Sequence, residues 1–319
     1  MIFKKTLLLS LVGILIIFIV KGAHTMFRSE LVGIKINNVK MKFLNGDSLV
    51  SDRKNSVYDI DIRNNEICIP DFRNDKVIVF DKNFDEIREI NNILSPHSLT
   101  FGDDGAIYVA TYRNGRIQKF DAFGVEIVDW DQKLRENGQV SKPISLDIDT
   151  NGNVLIADYE LKSVIRVNKE GFYIDSLTIA EKKDFLPHCV RADGKGLVYV
   201  ADRGKSASIM VFSEDGEFLR TWKNPGKTFD PLAVCIFREK FVFVPDYSDS
   251  RLHLFDVAGK YLASFGARGN KPGDFLNITN LAVDNDSNAY VVEQDSNRVQ
   301  KIELEELVKD YELMQKNEY

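Results

Sequence analysis

Two of the chain's four histidines occupy the same place in two similar stretches. His97 follows a proline in "SPHSLTFGDDGAIYVATYRNG", and His188 follows a proline in "LPHCVRADGKGLVYVADRG". Imidazole is the side chain best suited to bind a transition metal or to move a proton near neutral pH. Paired imidazoles at one repeated position therefore indicate metal or ligand binding. The alternative is a relic of repeat duplication without present binding.

The similarity belongs to a repeat of about 44 residues that governs the chain after residue 50. Each unit holds short apolar runs separated by polar turns rich in Asp, Asn and Gly, as in "NVLIAD" followed by "SVIRVN". Such runs, four to a unit, are typical of the strands of propeller blades. The sequence predicts an all-β, six-bladed β-propeller with four-stranded blades. The units begin near Tyr58, His97, Ile144, His188, Leu232 and Thr279.

The last unit lacks a good fourth strand after "RVQKIE", whereas "LVGIKINNVKMKF" at 31–43 has strand character before the first unit. We predict that this N-terminal segment supplies the outer strand of the last blade. Pairing the two ends closes the ring and removes the open sheet edges that a solenoid would expose. Residues 306–319 predict a short helical or flexible acidic tail.

Composition limits the partners and the redox chemistry. The net charge is −6 and no long basic stripe is present, which argues against a nucleic-acid partner. The three cysteines, Cys68, Cys189 and Cys235, lie in apolar runs without the paired spacing of a metal site. They are expected to be small buried side chains.

The N-terminus carries an apolar run, Thr6–Val20, between Lys4-Lys5 and Lys21. A basic start before an apolar stretch of this length is typical of a secretory signal, and an uncleaved membrane anchor is the open alternative. Residues 1–25 are therefore assigned to this segment and residues 26–305 to the propeller. The protein is expected to be extracytoplasmic, secreted or anchored to the membrane.

One linker carries a family resemblance. "FGARGNKPGDFLNITNLAVD", from Phe265 to Asp284, resembles the NHL-repeat consensus, in which G-x-x-G-x-x-P-G-x-F leads into a strand ending in Ala-Val-Asp. "YRNGRIQKFD", from Tyr112, resembles the third strand of that repeat. The resemblance covers about residues 50 to 303 and implies an NHL-type propeller.

A narrower resemblance concerns the peptidyl-α-hydroxyglycine α-amidating lyases. In these NHL-like propellers, three histidines at the start of alternate innermost strands hold zinc in the central channel, and calcium lies lower. His97 and His188 match two of those positions, which implies channel zinc and calcium here. The third position is Thr279, whose neutral hydroxyl is a poor zinc ligand, and the next residue is Asn280 instead of Asp.

The same resemblance implies the remaining catalytic residues. Arg203 and Arg53 would bind the substrate carboxylate, and Tyr159 would accept a proton as the C–N bond breaks to give a peptide amide and glyoxylate. Other candidate motifs have simpler interpretations. The acids that end the second strands, such as Asp158, are expected to cap turns, and the EF-hand-like "DIDTNGNVLIAD" is expected to be a hairpin.

Two functions remain open at this point. The first is an exported or membrane-anchored NHL-repeat propeller that binds a peptide, glycan or protein on one face. The alternative is a zinc-dependent carbon–nitrogen lyase similar to the amidating enzymes.

Overall fold

The computed structural model describes residues 40–43 and 57–309, except 178, 180–183, 224–227 and 297. A short helix, α1 (Gln132–Glu136), precedes the third blade, and residues 304–309 form a helical turn at the end. The strands are β1 (Lys40–Phe43), β2 (Asp61–Arg63), β3 (Glu66–Asp71), β4 (Lys76–Phe80), β5 (Glu86–Asn91), β6 (Pro96–Phe101), β7 (Ile107–Thr111), β8 (Arg116–Phe120), β9 (Glu126–Ile127), β10 (Pro143–Ile148), β11 (Val154–Asp158), β12 (Ser163–Val167), β13 (Tyr173–Leu177), β14 (Pro187–Ala192), β15 (Val198–Asp202), β16 (Ser208–Phe212), β17 (Phe218–Trp222), β18 (Cys235–Phe237), β19 (Phe241–Asp246), β20 (Arg251–Asp256), β21 (Tyr261–Phe265), β22 (Ile278–Val283), β23 (Asn288–Glu293) and β24 (Arg298–Glu303).

In the described part of the chain, the strands pair into six four-stranded sheets. Blades 1 to 5 are the consecutive sets β2–β5, β6–β9, β10–β13, β14–β17 and β18–β21, and blade 6 has the order β1-β24-β23-β22. Neighbouring strands within each blade are antiparallel, as expected of strands joined by short turns. The chain is therefore an all-β, six-bladed propeller, as predicted.

Blade 6 contains both ends of the described chain. β1 runs antiparallel to β24, with Lys40 opposite Lys301 and Phe43 opposite Arg298. The first described strand thus forms the outer edge of the last blade, which confirms the predicted closure. Residues 31–39 of the predicted strand lie outside the described residues.

The middle strands are buried on both faces because each blade packs between two others. Every residue of β11 is buried. Val154 and Ile156 pack in a cluster with side chains of blade 2, whereas Leu155 and Ala157 pack in a cluster with side chains of blade 4. Burying one such aliphatic side chain stabilises the fold by about 1.5–3 kcal/mol. Outer strands differ, since most of β17 is partly or fully exposed.

The linker that resembles the NHL consensus folds tightly for a steric reason. Gly266 has φ +77°, and a Cβ there would lie 2.4 Å from a ring carbon of Phe275, which is fully buried. The N–H of Phe275 donates to the carbonyl of Ala267 at 2.8 Å, and the N–H of Gly269 donates back to Phe275 at 3.0 Å. Glycine at these places lets the linker wrap around the aromatic ring.

The acids that end the second strands hold turns together. Asp158 accepts the N–H groups of Ser141 and Lys142 through Oδ2, both at 2.8 Å. Its Oδ1 accepts those of Glu160 and Leu161 at 3.0 and 2.9 Å. This carboxylate links the entry to the first strand with the turn after the second. The structural interpretation of the acid is therefore confirmed.

The remaining sequence predictions on architecture concern cysteines and the chain ends. All three cysteines are buried and unpaired, and burial raises the pKa of each thiol. Leu304, Leu307 and Val308 of the last helical turn are buried in the core cluster of blades 5 and 6. Residues 1–25 and 310–319 lie outside the described residues. No helix within the described ranges is long and apolar enough to cross a membrane.

The closing strand yields a test of the ring. Replacing Met41 and Lys42 together with proline removes backbone donors from β1, so we expect a loss of about 3 kcal/mol in the free energy of unfolding. Urea denaturation followed by circular dichroism measures the loss. The matched variant Met41→Ala/Lys42→Ala keeps the backbone ladder and should lose less than about 1 kcal/mol. Equal losses in the two variants would contradict a closing role for β1.

Candidate functional site

The two histidines are positioned by a β-bulge that recurs in the propeller. In blades 2 and 4, the register between the first and second strands shifts at His97 and His188. The same shift occurs at Ile144 in blade 3 and at Thr279 in blade 6. A bulge residue has no partner in the ladder, which re-aims its side chain. These residues and their equivalents form the first ring: Tyr58, His97, Ile144, His188, Leu232 and Thr279.

Both imidazoles make the same hydrogen bond to the next blade. His97 Nδ1 donates to the carbonyl of Ile144 at 2.8 Å, and His188 Nδ1 donates to the carbonyl of Leu232 at 2.9 Å. A carbonyl oxygen only accepts, so the proton of each neutral ring is on Nδ1. Each Nε2 therefore carries a lone pair that can accept a hydrogen bond or bind a metal.

The electrostatic surroundings keep both rings neutral. Burial lowers the pKa of His97, whose ring is stacked with Tyr58 and Tyr112 at centroid distances of 4.7 and 5.6 Å. Burial and the positive charge of Arg203 lower the pKa of His188 to about 3. At neutral pH the pair therefore offers two acceptor nitrogens and no cation.

A second ring is formed by the residues that follow the second strand of each blade. Arg203 and Tyr159 belong to this ring, each after a turn-capping Asp. The register of the repeat would have revealed the aromatic members, which sequence reasoning did not single out. The second ring consists of Phe72, Tyr112, Tyr159, Arg203, Tyr247 and Gln294.

The two rings meet in a cavity of about 320 Å³ over blades 1 to 4. An adjoining cavity of about 470 Å³ shares Tyr159, His188 and Arg203 with it, and adds Lys205, Phe229 and Asp230 among others. Four consecutive blades thus supply one first-ring and one second-ring side chain each. The smaller cavity is lined by Tyr58, Phe72, His97, Tyr112, Ile144, Tyr159, His188 and Arg203.

Arg203 is held by a partner that the sequence did not indicate. Its Nε and Nη2 donate to the two carboxylate oxygens of Asp230 at 2.5 and 2.6 Å. Its guanidinium also lies 5.8 Å from the ring centroid of Tyr247. This bidentate pair fixes the plane of the guanidinium while leaving it beside His188 in both cavities.

Lys142 adds a second cation to the mouth of the site. Its Nζ lies 4.5 Å from the ring centroid of Tyr112 and 5.8 Å from that of Tyr159. A hydrogen bond with Tyr112 raises the pKa of this lysine, which keeps the ammonium charged. The aromatic side chains are therefore flanked by positive charge on two sides.

Two predicted site residues do not join this cavity. Thr279 belongs to blade 6 and is buried, its Oγ1 has no hydrogen-bond partner, and the cavity lining does not include it. Arg53 lies outside the described residues. Among the described residues, no third His, Cys, Asp or Glu completes a metal-binding group with the histidine pair. The donor set therefore does not fit the three-ligand site of catalytic zinc.

A different group of potential metal ligands lies within blade 5. Asp246, Asp249 and His253 place ligand atoms within 4.8 Å of one another. His253 Nε2 lies 3.5 Å from Asp246 Oδ2 and 3.2 Å from Asp249 Oδ2. In blade 6 the equivalent Gln300 donates to Glu293 at 2.6 Å. In both blades, therefore, a buried side chain on the third strand contacts the turn-capping acid. This common contact accounts for the group in blade 5.

The six sheets and the repeat define the class of protein: a six-bladed β-propeller. A family model, DUF5128, described as a 6-bladed beta-propeller, matches residues 230–314. The curated NHL repeat-containing protein 3 of Mus musculus is 33% identical over 129 residues, which is 36% of this chain. The match spans only 37% of the length of that relative.

Solved structures show the same fold at low identity. Virginiamycin B lyase from Staphylococcus aureus aligns with a TM-score of 0.59 and 10% identity, covering 83% of this chain and 99% of the lyase. A protein of unknown function from Bacteroides thetaiotaomicron aligns with a TM-score of 0.62 and 12% identity, covering 83% of this chain and 75% of that one. These similarities establish the propeller fold alone.

The blade 5 group generates a prediction on pH. Burial alone would lower the pKa of His253, but its hydrogen bonds to Asp246 and Asp249 outweigh burial and raise it. The stability that the imidazolium contributes is full below the unfolded pKa of about 6.5 and is lost as pH rises through the folded value. The gap in unfolding free energy between the parent and His253→Gln should therefore shrink as the pH rises from 6 to 9.

Denaturant unfolding across this pH range measures the gap. His97→Gln is the control, because the lowered pKa of His97 leaves that ring neutral in both folded and unfolded chains above about pH 7. Its gap should stay flat between about pH 7 and pH 9. A constant gap for His253→Gln would show that the imidazolium does not stabilise blade 5.

Proposed function

We propose that this NHL-type propeller is a binding module that holds its ligand in the cavity over blades 1 to 4. The proposal rests on one observation: equivalent positions of successive repeats place their side chains in the same cavity. His97, His188, Tyr159 and Arg203 come from three blades and line a single cavity on a face built by loops. Loops on a rigid scaffold are where propellers present binding groups.

The lining favours a ligand with a flat or apolar body and an anionic group. Tyr58 and Tyr112 add aromatic side chains to the lining, each stacked on His97, and the imidazoles offer acceptor nitrogens. The described lining of the smaller cavity holds Arg203 and no carboxylate. Asp230 engages Nε and Nη2 of a guanidinium that has five N–H groups, so it orients the charge without using all its donors. A peptide with a free C-terminal carboxylate combines these features better than a neutral glycan.

A carbon–nitrogen lyase is the second candidate function. The observation in its favour is that the residues implied for binding a carboxylate and accepting a proton, Arg203 and Tyr159, line the same cavity as His97 and His188. The donor set of the pair lacks a third ligand among the described residues, so this candidate requires metal binding to be measured directly. Two lyases among the solved structures share only the fold.

The proposal includes a place in the cell. The apolar run from Thr6 to Val20 is the basis for proposing export or membrane anchoring. The cavity, with the guanidinium of Arg203 in its lining, would then bind peptides outside the cytoplasm.

The test uses a fluorescent short peptide ending in glycine, in its free-acid and amide forms, titrated into the full chain. We expect the acid to bind more tightly than the amide. Arg203→Ala should weaken binding of the free-acid peptide by about 10- to 100-fold, because a charge-assisted bidentate contact contributes about 1.5–3 kcal/mol. Tyr112→Ala should weaken binding of both the acid and the amide peptide, because both would contact this aromatic side chain. Fluorescence anisotropy gives the dissociation constants.

Arg88→Ala is the matched control, because Arg88 also forms a bidentate ion pair, with Glu66, outside this cavity. This variant should bind as the parent does. Equal binding of acid and amide by the parent, or equal effects of the two arginine variants, would exclude the proposed site. The lyase candidate predicts bound zinc in the parent that is lost in His97→Ala/His188→Ala, and glyoxylate release from an α-hydroxyglycine peptide. A parent without zinc or glyoxylate release excludes it.

A further inference from the structure

A partly buried arginine crosses the central channel below the histidine pair. Arg191 is on β14 of blade 4, and Asp59 directly precedes β2 of blade 1, so the two residues come from opposite sides of the ring. Arg191 Nη2 donates to Asp59 Oδ1 at 3.4 Å. Opposite blades of a six-bladed ring meet only through the channel. Arg191 also lies three residues beyond His188, which is about 10 Å along an extended strand.

The guanidinium is surrounded by oxygen atoms of the innermost strands. Nη1 donates to the carbonyl of Leu146 at 3.0 Å and to that of Val190 at 2.9 Å. Arg191 also interacts electrostatically with the carboxylates of Asp147 and Asp61. Burial raises the pKa of Asp61 to about 7, and Arg191 opposes this rise. The guanidinium thus contacts one carboxylate and two carbonyls, and two further acidic side chains act on it electrostatically.

Asp59 is the centre of the ring of contacts around this cation. Its Oδ2 accepts the hydroxyl of Ser98 at 2.5 Å and the N–H of Leu99 at 3.1 Å. Its Oδ1 accepts the N–H of Ile60 at 2.8 Å and the side-chain amide of Asn280. Blades 1, 2, 4 and 6 therefore meet at one carboxylate.

This arrangement does not fit the calcium ion implied by the lyase resemblance. Carboxylate and carbonyl oxygens are the ligands that calcium takes. Here the guanidinium of Arg191 already donates to the carboxylate of Asp59 and to the carbonyls of Leu146 and Val190. Asn280, at the position where the lyases have an aspartate, turns its amide donor towards Asp59 instead of offering a carboxylate. Both changes supply N–H donors where a cation would need oxygen ligands.

We propose that Arg191 is the built-in cation of the channel, which makes this propeller independent of the calcium ion that the lyase resemblance implies. The guanidinium donates to the carboxylate of Asp59 and to the carbonyls of Leu146 and Val190. Removing it leaves the buried carboxylate of Asp59 without its counter-charge, so the closed ring should lose stability whether or not calcium is present. This inference does not depend on ligand binding in the cavity above.

The test measures the melting temperature of the full chain in EDTA and in about 5 mM calcium chloride. The parent should melt at the same temperature in both. Arg191→Ala should melt at least about 5 °C lower than the parent in both solutions, because Asp59 loses its counter-charge. Arg191→Lys keeps the charge and should lose less than Arg191→Ala. Asp59→Asn in the Arg191→Ala background removes the unpaired carboxylate and should recover part of the loss.

Equilibrium dialysis with radioactive calcium provides the second measurement, and the parent should bind no ion. If Arg191→Ala does not fold, Arg191→Met, which keeps the aliphatic volume, is measured in its place. A parent that binds calcium or loses stability in EDTA overturns the proposal. So does an arginine-free variant that melts at the same temperature as the parent.

Discussion

Closure of the ring is the constraint on which the other features of this propeller depend. Each blade buries both faces against its neighbours, so an open ring would expose an apolar face of blade 1 and another of blade 6. The pairing of β1 with β24 joins the two ends of the described chain within one sheet. The same closure holds the innermost strands at a common distance from the channel. Contacts across the channel, such as that between Arg191 and Asp59, exist only because the ring is closed.

Repetition then generates the site. A single bulge at the start of the first strand turns one side chain per blade towards the mouth of the channel, and the residue after the second strand lies beside it. The scaffold is the same in every blade, and only the side chains differ. Blades 1 to 4 place aromatic rings, imidazoles and a guanidinium there, whereas the described cavity does not extend to Leu232 and Thr279 of blades 5 and 6. The chemistry of the site is therefore confined to one side of a nearly symmetric ring.

The titratable side chains of the channel are treated differently at its mouth and deeper inside. At the mouth, burial lowers the pKa of both histidines and leaves neutral acceptors beside Arg203. Deeper in the channel, Arg191 contacts the carboxylate of Asp59, and the charges of Asp147 and Asp61 raise the pKa of this arginine. A buried carboxylate without a counter-charge is unfavourable, and here a side chain of the same chain supplies that charge.

The sequence by itself determined the fold, the blade boundaries and the closing strand, because the apolar period and the turn residues of each blade are local properties. It also determined that His97 and His188 occupy equivalent places and that the acid after the second strand caps a turn. It did not reveal that Asp230 holds Arg203, or that Arg191 meets Asp59, since these partners are 27 and 132 residues apart. Such contacts depend on the angle between blades and on which side chains reach the channel. Only the closed tertiary structure decides that geometry, and with it which residues of the repeat form a site.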